Sequence, residues 1–239
     1  LRHPEAEAEF PTSLGQNGVG RVVETGSEVD IPEGELVQAG LDYATESVLD
    51  AEADAPKVVP EPDEGYVFMT QGGVALNALR RADFGFGDGV VVVGQGPIGL
   101  AVTRMADLAG AREIVANDLF ENRLALAEGM GATATTTATR ADLVEEVLPR
   151  FGEQPPTDER DETAGGADIV FDCAGVSDAV WAGLKLVRYN GTVCVAAMHR
   201  DPLAGVNLGA DFHLREIDVV SAQQWGRVNE WPWTRERNR

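Results

Sequence analysis

The sequence has few positive charges and almost no lysine. Among 239 residues, 40 acidic side chains oppose 19 basic ones, the formal net charge is −21, and Lys57 and Lys185 are the only lysines. This balance excludes nucleic acid as an expected partner, because phosphate backbones are bound by basic patches. An acidic surface poor in lysine suits a cytosol at multimolar salt, where screening shortens charge repulsion to roughly 3 Å. An acidic protein of an ordinary cell is the alternative.

Long apolar runs and cysteine clusters are also missing. The chain has no apolar window of about 18 residues, and residues 1–5 have no signal-peptide character. We therefore expect a soluble, cytoplasmic protein with no membrane partner. Its two cysteines, Cys173 and Cys194, are too few for a disulfide framework or a four-thiolate zinc lobe. Both fall in apolar strand patterns, which predicts buried thiols.

From Val90 onward, strand patterns alternate with helical ones. This order is typical of an α/β fold with a doubly wound parallel sheet, the Rossmann architecture. The predicted strands are 90–93, 113–117, 133–137, 168–172, 191–197 and 217–221, and the predicted helices are 100–109, 121–130, 141–148 and 177–186. Between them, residues 151–167 contain Pro155-Pro156 and an acidic run, which predicts a surface loop.

The first 75 residues differ, because turn residues are dense and helical periodicity is poor. Short strands are predicted at 19–25, 35–39 and 43–49, as parts of a separate β-rich unit. The chain begins without Met, within what reads as a domain, and ends in a polar tail, so we expect a fragment. The predicted divisions are a partial β-rich domain at 1–75, a dinucleotide-binding domain at 76–225 and the start of a truncated segment at 226–239.

The most informative motif is a glycine turn between a strand and a helix. A run of four valines leads into Gly94-Gln95-Gly96-Pro97-Ile98-Gly99, and an apolar helical pattern follows. In such a turn the first glycine permits the tight bend, the second lets a pyrophosphate approach the backbone, and the third lets the helix pack closely on the strand. The phosphates would lie at the positive end of the helix. Without a ligand, the same glycines would simply form a turn.

An acidic residue follows the next predicted strand. Asp118 lies about twenty residues after Gly99, where a carboxylate would bind the adenosine ribose hydroxyls. Its charge would repel a 2′-phosphate, so NAD(H) is favoured over NADP(H). The alternative is that Asp118 only caps the helix that begins near Glu121.

These residues resemble the medium-chain, zinc-type alcohol and polyol dehydrogenase family over nearly the whole chain. Residues 11–26, Pro-Thr-Ser-Leu-Gly-Gln-Asn-Gly-Val-Gly-Arg-Val-Val-Glu-Thr-Gly, stand where that family has Pro-x-x-Leu-Gly-His-Glu-x-x-Gly-x-Val-x-x-x-Gly. The Gly-x-Gly-Pro-Ile-Gly form of the glycine turn is similar to that of the alcohol and polyol branch. The resemblance implies a GroES-like domain before the Rossmann domain, with the nicotinamide in the cleft between them.

The resemblance also implies residue roles. The pyrophosphate would be held by Gly94, Gly96, Pro97, Ile98 and Gly99, and the adenosine by Asp118 and Arg123. The nicotinamide would be bordered by Cys173, Ala174 and Gly175 and by residues 196–198, which include Ala197. As alternatives, Arg123 is a solvated helical arginine, and Cys173 is a core thiol, the reading we prefer to a reactive role.

The metal positions of the family are altered. Its zinc histidine falls on Gln16 and a neighbouring glutamate ligand on Asn17, and amides bind zinc poorly beside imidazole and carboxylate. Residues 72–79, where some members supply a third ligand, contain no Cys, Asp, Glu or His. We therefore expect zinc to be absent. His3, His199 and His213 are scattered without ligand spacing and are expected to be structural.

Three functions remain open at this point. The first is an NAD-dependent oxidoreductase that moves a hydride between nicotinamide and an alcohol, polyol or sugar-type small molecule, with Tyr43 or a residue outside the chain as proton donor. The second is a catalytically impaired homologue that binds nucleotide as a redox sensor. The third is a zinc-free reductase of activated double bonds, against which the Gly-Pro-Ile-Gly form argues. The intact protein is expected to be a homo-oligomer, paired through the edge of the cofactor sheet.

Overall fold

The computed structural model describes residues 14–152, 165–200, 202–203 and 205–223. The chain divides into two compact units, Leu1–Thr70 and Gln71–Arg239. The domain limits expected at residues 75 and 225 stay predictions. The tail at 226–239 and most of the expected acidic loop lie outside the described residues. Within the described ranges, no helix is long and apolar enough to cross a membrane.

The first unit contains a small antiparallel sheet. Its strands are β1, Gly18–Arg21, β2, Leu36–Ala39, and β3, Lys57–Val59, paired in the order β1-β2-β3. The strand predicted at 43–49 is wrong, because this segment forms bends and extended coil. Tyr43 and Val48 are 80% and 101% exposed, so their apolar groups have no buried face to define a strand. The third strand instead places Val59 in the interior, at 5% exposure.

The second unit is a six-stranded parallel sheet with helices, as the strand and helix alternation predicts. Its elements are α1, Met69–Arg81; β4, Gly89–Val93; α2, Pro97–Leu108; β5, Glu113–Asn117; α3, Glu121–Gly129; β6, Ala134–Thr136; α4, Arg140–Val147; β7, Ala167–Asp172; α5, Ser177–Leu186; β8, Val187–Val195; and β9, Asp218–Ser221. The strand order is β6-β5-β4-β7-β8-β9, which confirms the doubly wound Rossmann topology.

Strand β4 explains why the sheet is covered on both faces. All of its residues are buried, and successive side chains point to opposite faces of a strand. Val91 and Val93 pack into a cluster with residues of α4 and α5, whereas Val90 and Val92 pack into a second cluster with residues of α1 and α2. A parallel sheet buried on both faces needs such a continuous apolar run rather than an alternating one.

Helix α1 is not predicted by the sequence analysis. Its four apolar residues that face the sheet, Val74, Ala75, Ala78 and Leu79, have the spacing of one helical face and are at most 8% exposed. The neighbouring Gly72-Gly73 pair obscures this pattern, because glycine is a poor helix former. Strand β8 also begins earlier than predicted, at Val187, because a register irregularity opposite β7 lets the pairing extend.

The sheet has one point at which its winding reverses. The chain passes from β4 outward to β5 and β6 on one side, and from β7 outward to β8 and β9 on the other. Ligands of open parallel sheets bind outside the carboxyl ends of the strands at such a switch point. The residues that follow β4, β5, β7 and β8 therefore form the candidate site.

Candidate functional site

The three glycines after β4 differ in what surrounds them. Gly94 has a φ of +92°, and a Cβ there would lie 2.9 Å from the backbone nitrogen of Ala174. A Cβ on Gly99 would lie 1.8 Å from the carbonyl oxygen of Gly94. A Cβ on Gly96 would meet no atom within 4 Å. The outer glycines are therefore required by the protein itself, whereas the middle one leaves open space beside the turn.

Helix α2 begins next to this space. Gly96 is its N-cap residue, makes no side-chain capping bond and is followed by Pro97 in the first turn. The first N–H groups of a helix have no acceptor within the helix and carry its partial positive charge. An uncapped helix end beside an open glycine is suited to a phosphate group. The geometry thus fits the pyrophosphate of a dinucleotide.

A buried amide holds the glycine turn in shape. The side chain of Gln95 is fully buried, its Nε2 donates to the carbonyl oxygen of Val92 at 3.0 Å, and its Oε1 accepts from Oγ1 of Thr103 at 3.1 Å. The sequence analysis did not single out Gln95. The sequence did contain a signal for this residue. A polar side chain between two glycines can hydrogen-bond to a Thr on the inner face of the next helix.

Asp118 lies at the carboxyl end of β5 and binds the same turn. Its Oδ2 accepts from the backbone N–H of Gln95 at 2.7 Å, and its Oδ1 accepts from that of Phe120 at 3.0 Å. It does not cap α3, whose N-cap residue is Phe120. A carboxylate accepts about four hydrogen bonds. With Nη1 of Arg123 at 3.3 Å as a third partner, capacity for one more donor remains.

Arg123 lies between this carboxylate and an aromatic ring. Its guanidinium carbon is 4.9 Å from the centre of the Phe120 ring, and its side chain is 44% exposed. The structure therefore places Arg123 beside Asp118, at the edge of the sheet where the resemblance puts the adenosine. Because the Asp118 carboxylate and the Phe120 ring both contact its guanidinium, the side chain of Arg123 has less conformational freedom than a solvated arginine.

The loops after β7 and β8 contact each other and the glycine turn. The backbone N–H of Cys173 donates to the carbonyl oxygen of Val93 at 2.8 Å. A Cβ on Gly175 would lie 2.9 Å from the carbonyl oxygen of Met198 and 3.3 Å from Cβ of Ala197. The structure therefore brings together the two segments that the resemblance assigns to the nicotinamide.

Both thiols lie in this region of the sheet; Cys194 is buried, as predicted, whereas Cys173, which follows β7, is only partly buried. Burial raises the pKa of Cys173 well above its ordinary value, and the neighbouring Asp172 carboxylate adds to the effect. Burial also raises the pKa of Cys194 to about 12, although the charge of Arg81 opposes the increase. Neither environment favours a thiolate, so both cysteines have the properties of structural thiols.

Asp172 and His199 form a pair that the sequence analysis missed. Asp172 ends β7 and is fully buried, with Oδ1 accepting from the backbone N–H groups of Ala174 and Gly175 at 3.0 Å each. Its Oδ2 is hydrogen-bonded to Nε2 of His199, whose side chain is 20% exposed. Asp172 ends β7 and His199 follows β8, and the carboxyl ends of these adjacent parallel strands meet at one edge of the sheet.

The family's metal positions hold amides that bind other groups. Oδ1 of Asn17 accepts from Oγ1 of Thr70 at 2.7 Å and from Nε2 of Gln38 at 3.4 Å. No group of three or more His, Cys, Asp or Glu side chains that could hold a metal occurs in the part of the chain that the structure describes. The donors at Gln16 and Asn17 do not fit zinc, because neutral amide oxygens are poor ligands for it.

Comparison with known proteins gives a consistent family. A family model described as zinc-binding dehydrogenase matches residues 97–237, more than half of the chain. The chain is also 28% identical over 231 residues to D-guloside 3-dehydrogenase of Escherichia coli. This alignment covers 94% of the chain and 63% of the relative. The chain thus spans less than two thirds of that relative's length.

Two solved structures show the same fold. Galactitol-1-phosphate dehydrogenase of Escherichia coli superposes with a TM-score of 0.74 at 19% identity, covering 91% of this chain and 69% of the other. A zinc-binding dehydrogenase structure from Sinorhizobium meliloti, bound to NADP, gives a TM-score of 0.71 at 24% identity, covering 87% and 68%.

Proposed function

Because the chain belongs to the zinc-binding dehydrogenase family, we propose that it is an NAD-dependent oxidoreductase that transfers a hydride between nicotinamide and a carbinol carbon of a polyol or sugar. One observation carries this proposal: the open face of Gly96 lies beside an uncapped helix end, and Asp118 follows the neighbouring strand. The substrate class rests on the Escherichia coli relative, which is named for a sugar derivative.

The described residues suggest how the coenzyme would be held. The turn from Gly94 to Gly99 and the first turn of α2 would bind the pyrophosphate, and Asp118 would accept from a ribose hydroxyl. The nicotinamide would then lie against Ala174, Gly175 and Ala197. When bound, NAD(H) supplies the hydride acceptor or donor. The chain's own contribution is to fix the ring in one orientation and to exclude water from its reactive face.

The preference for NAD over NADP follows from the charge of Asp118. A 2′-phosphate on the adenosine ribose would lie against this carboxylate and be repelled. The Sinorhizobium meliloti protein is bound to NADP in its structure. In this chain, Arg123 lies close enough to Asp118 to contact a 2′-phosphate. Asp118 is the more buried of the two, with a side chain 5% exposed against 44% for Arg123. Its charge is therefore less screened, which favours NAD.

No step of the proposed reaction passes through a metal. The residues at the family's metal positions do not fit zinc, and Asn17 uses its oxygen to accept from Thr70 and Gln38. The substrate hydroxyl must lose its proton when the hydride leaves, so a side chain has to accept that proton. Tyr43 stays a candidate from the sequence, although it is 80% exposed.

The wider expectations belong to the same proposal. A net charge of −21 with only two lysines supports a cytoplasm at high salt and the exclusion of nucleic acid as a partner. The expectation of a small-molecule substrate rests on the sugar-derivative name of the relative. The edge strand β9 leaves one side of its backbone unpaired by the six-stranded sheet, which supports pairing of the intact protein as a homo-oligomer.

The test is a fluorescence titration with NADH and NADPH in multimolar KCl, with zinc assayed on the same sample. NAD and NADP are then each mixed with the chain and a panel of pentitols, hexitols and aldoses, and reduction of the nucleotide is measured. We expect NADH to bind more tightly than NADPH, and NAD to be reduced with at least one member of the panel. Binding without turnover would favour the redox-sensing homologue. No binding of either nucleotide by the folded chain would refute the proposal.

A further inference from the structure

The pair formed by Asp172 and His199 is built like a proton-transfer dyad. A fully buried carboxylate is costly unless each of its oxygens is hydrogen-bonded. Here the backbone N–H groups of Ala174 and Gly175 satisfy Oδ1, and the imidazole of His199 satisfies Oδ2. The carboxylate is thus held in one orientation by its own loop, and it in turn orients the ring.

The hydrogen bond also fixes which ring nitrogen carries the proton. An ionised carboxylate is acceptor-only, so it selects the tautomer of a neutral histidine with the proton on the facing nitrogen. For His199 this nitrogen is Nε2, which leaves the lone pair on Nδ1. Among the described residues, no hydrogen bond to Nδ1 is present. One fifth of the His199 side chain is exposed.

The position of the pair matches the half of the site where the nicotinamide is expected. A dinucleotide spans the switch point between β4 and β7. Asp118, after β5, places the adenosine on the β5–β6 side, so the nicotinamide must lie on the β7–β8 side. Asp172 ends β7, and His199 follows β8 by four residues.

We propose that His199 is the acid–base residue of the reaction and that Asp172 is its positioning residue. This inference rests on the proposed function. During alcohol oxidation, the C–H bond of the carbinol carbon breaks, its electron pair leaves with the hydride to C4 of the nicotinamide, and the C=O double bond forms. The hydroxyl proton passes to Nδ1 of His199. Reduction of the carbonyl returns the same proton, and the Asp172 carboxylate stabilises the imidazolium between the two events.

The altered metal positions increase the demand on this proton acceptor. A zinc ion would stabilise an alkoxide and thereby lower the barrier to losing the proton. Amides at Gln16 and Asn17 give no such assistance, so removal of the proton depends more strongly on a well-placed base. Here the buried carboxylate of Asp172, which accepts three hydrogen bonds, keeps the imidazole of His199 in one orientation.

The test is nitrogen NMR on the intact chain with 15N-labelled histidine. The chain has only three histidines, and His199→Gln assigns the signals of interest. We expect His199 to be protonated on Nε2, Asp172→Asn to move that proton to Nδ1, and NADH to shift the His199 signals. His213 is exposed and serves as the matched control, with unchanged signals. A tautomer unaffected by Asp172→Asn, or His199 signals unaffected by bound NADH, would overturn the proposal.

Kinetics separate a structural role from a catalytic one. With the sugar alcohol that the wild-type chain oxidises fastest, we expect His199→Gln to lower kcat about 10²- to 10⁴-fold while NADH affinity and KM change by about twofold or less. His213→Gln should leave kcat unchanged. If His199→Gln turns over at the wild-type rate, the dyad is structural. If the wild-type chain binds no nucleotide or reduces none, the proposed function fails and this inference fails with it.

Discussion

The backbone N–H of Gln95 and Oδ2 of Asp118 are joined by a hydrogen bond of 2.7 Å. The bond connects the glycine turn after β4 to the end of β5, so two neighbouring strands share one buried carboxylate. Asp118 therefore has two tasks, because it fixes the turn and still has capacity to accept from a ligand. Variants at this position must be examined for both binding and folding.

Replacing Asp118 by Ala is expected to weaken NADH binding and to reduce the ratio by which NADH binds more tightly than NADPH. Loss of a hydrogen bond to a charged group costs about 1.5–3 kcal/mol, or roughly ten- to a hundredfold in Kd. Fluorescence titrations with both nucleotides measure the change, and far-ultraviolet circular dichroism checks the fold. Asp142→Ala, at an exposed position of α4, is the control. Unchanged affinities for both nucleotides in a folded Asp118→Ala variant would remove Asp118 from the site.

Alanine at Gly96 and at Gly99 should have opposite consequences. A methyl group on Gly96 meets nothing, and its φ of −75° suits any residue, so this variant should fold normally. The methyl would occupy the space expected for the pyrophosphate, and NADH binding should weaken at least tenfold. A methyl on Gly99 would collide with the carbonyl of Gly94, so Gly99→Ala should lower the free energy of unfolding. Urea unfolding and NADH titration of both variants test this difference. Equal free energies of unfolding and equal NADH affinities for the two variants would contradict it.

The charge of Asp168 should stabilise the fold at neutral pH. Burial alone raises the pKa of this carboxyl, but the backbone N–H of Gly89 and the charges of Arg188 and Arg112 outweigh burial and lower it. A lowered folded-state pKa contributes stability above the unfolded-state value, and this contribution disappears as pH falls through the folded-state pKa. We therefore expect Asp168→Asn to be less stable than wild type at pH 7.

The difference between the two proteins should shrink below about pH 4, near the ordinary pKa of an aspartate. Urea unfolding at several pH values measures it, with Asp30→Asn, at an exposed position outside the strands and helices, as control. A difference that stays constant from neutral to acid pH would show that the charge of Asp168 is not its source.

Neither cysteine should react with iodoacetamide in the native chain at about pH 8. Burial raises the pKa of Cys194 to about 12 and that of Cys173 well above its ordinary value, so the reactive thiolate is scarce. In urea both thiols should be alkylated within minutes, which mass spectrometry counts directly. Rapid labelling of native Cys173 would instead indicate a reactive thiol beside the nicotinamide segments.

Stability should rise with salt. With 40 acidic residues against 19 basic ones, compaction brings like charges together, and the Debye length falls from about 10 Å at 0.1 M to roughly 3 Å at 1 M. We expect a higher free energy of unfolding in about 2 M KCl than in about 0.1 M KCl, from urea titrations at both concentrations. Equal stabilities would favour the alternative of an acidic protein from an ordinary cell.

The sheet of the second unit could be predicted because its signals are local. The run Val90–Val93 is apolar and β-branched, and residues 114–116 form an apolar centre for the next strand. Glycines mark the turns, and short connections leave little choice of topology. The glycine turn and Asp118 are likewise separated by a spacing that the fold imposes. The first unit gave a wrong strand at 43–49, because β-type composition there is not accompanied by burial.

The pair of Asp172 and His199 could not be predicted with the same means. These residues are 27 positions apart in the sequence. Only the adjacency of β7 and β8 brings them together, and adjacency depends on the whole sheet rather than on any one segment. The same applies to Thr70 and Asn17, which are 53 positions apart and share a hydrogen bond that spacing does not indicate.

The reversal of winding at β4 and β7 also divides the proposed coenzyme site into two contiguous lengths of polypeptide. Strands β4 to β6 belong to residues 89–136 and strands β7 to β9 to residues 167–221, so the described strands pass from one half to the other only once. A chain cut between α4 and β7 would yield two fragments, each with half of the groups proposed to hold the dinucleotide. Their reassembly would be promoted by the coenzyme that bridges them, which makes this fold a natural basis for a split reporter of nucleotide concentration.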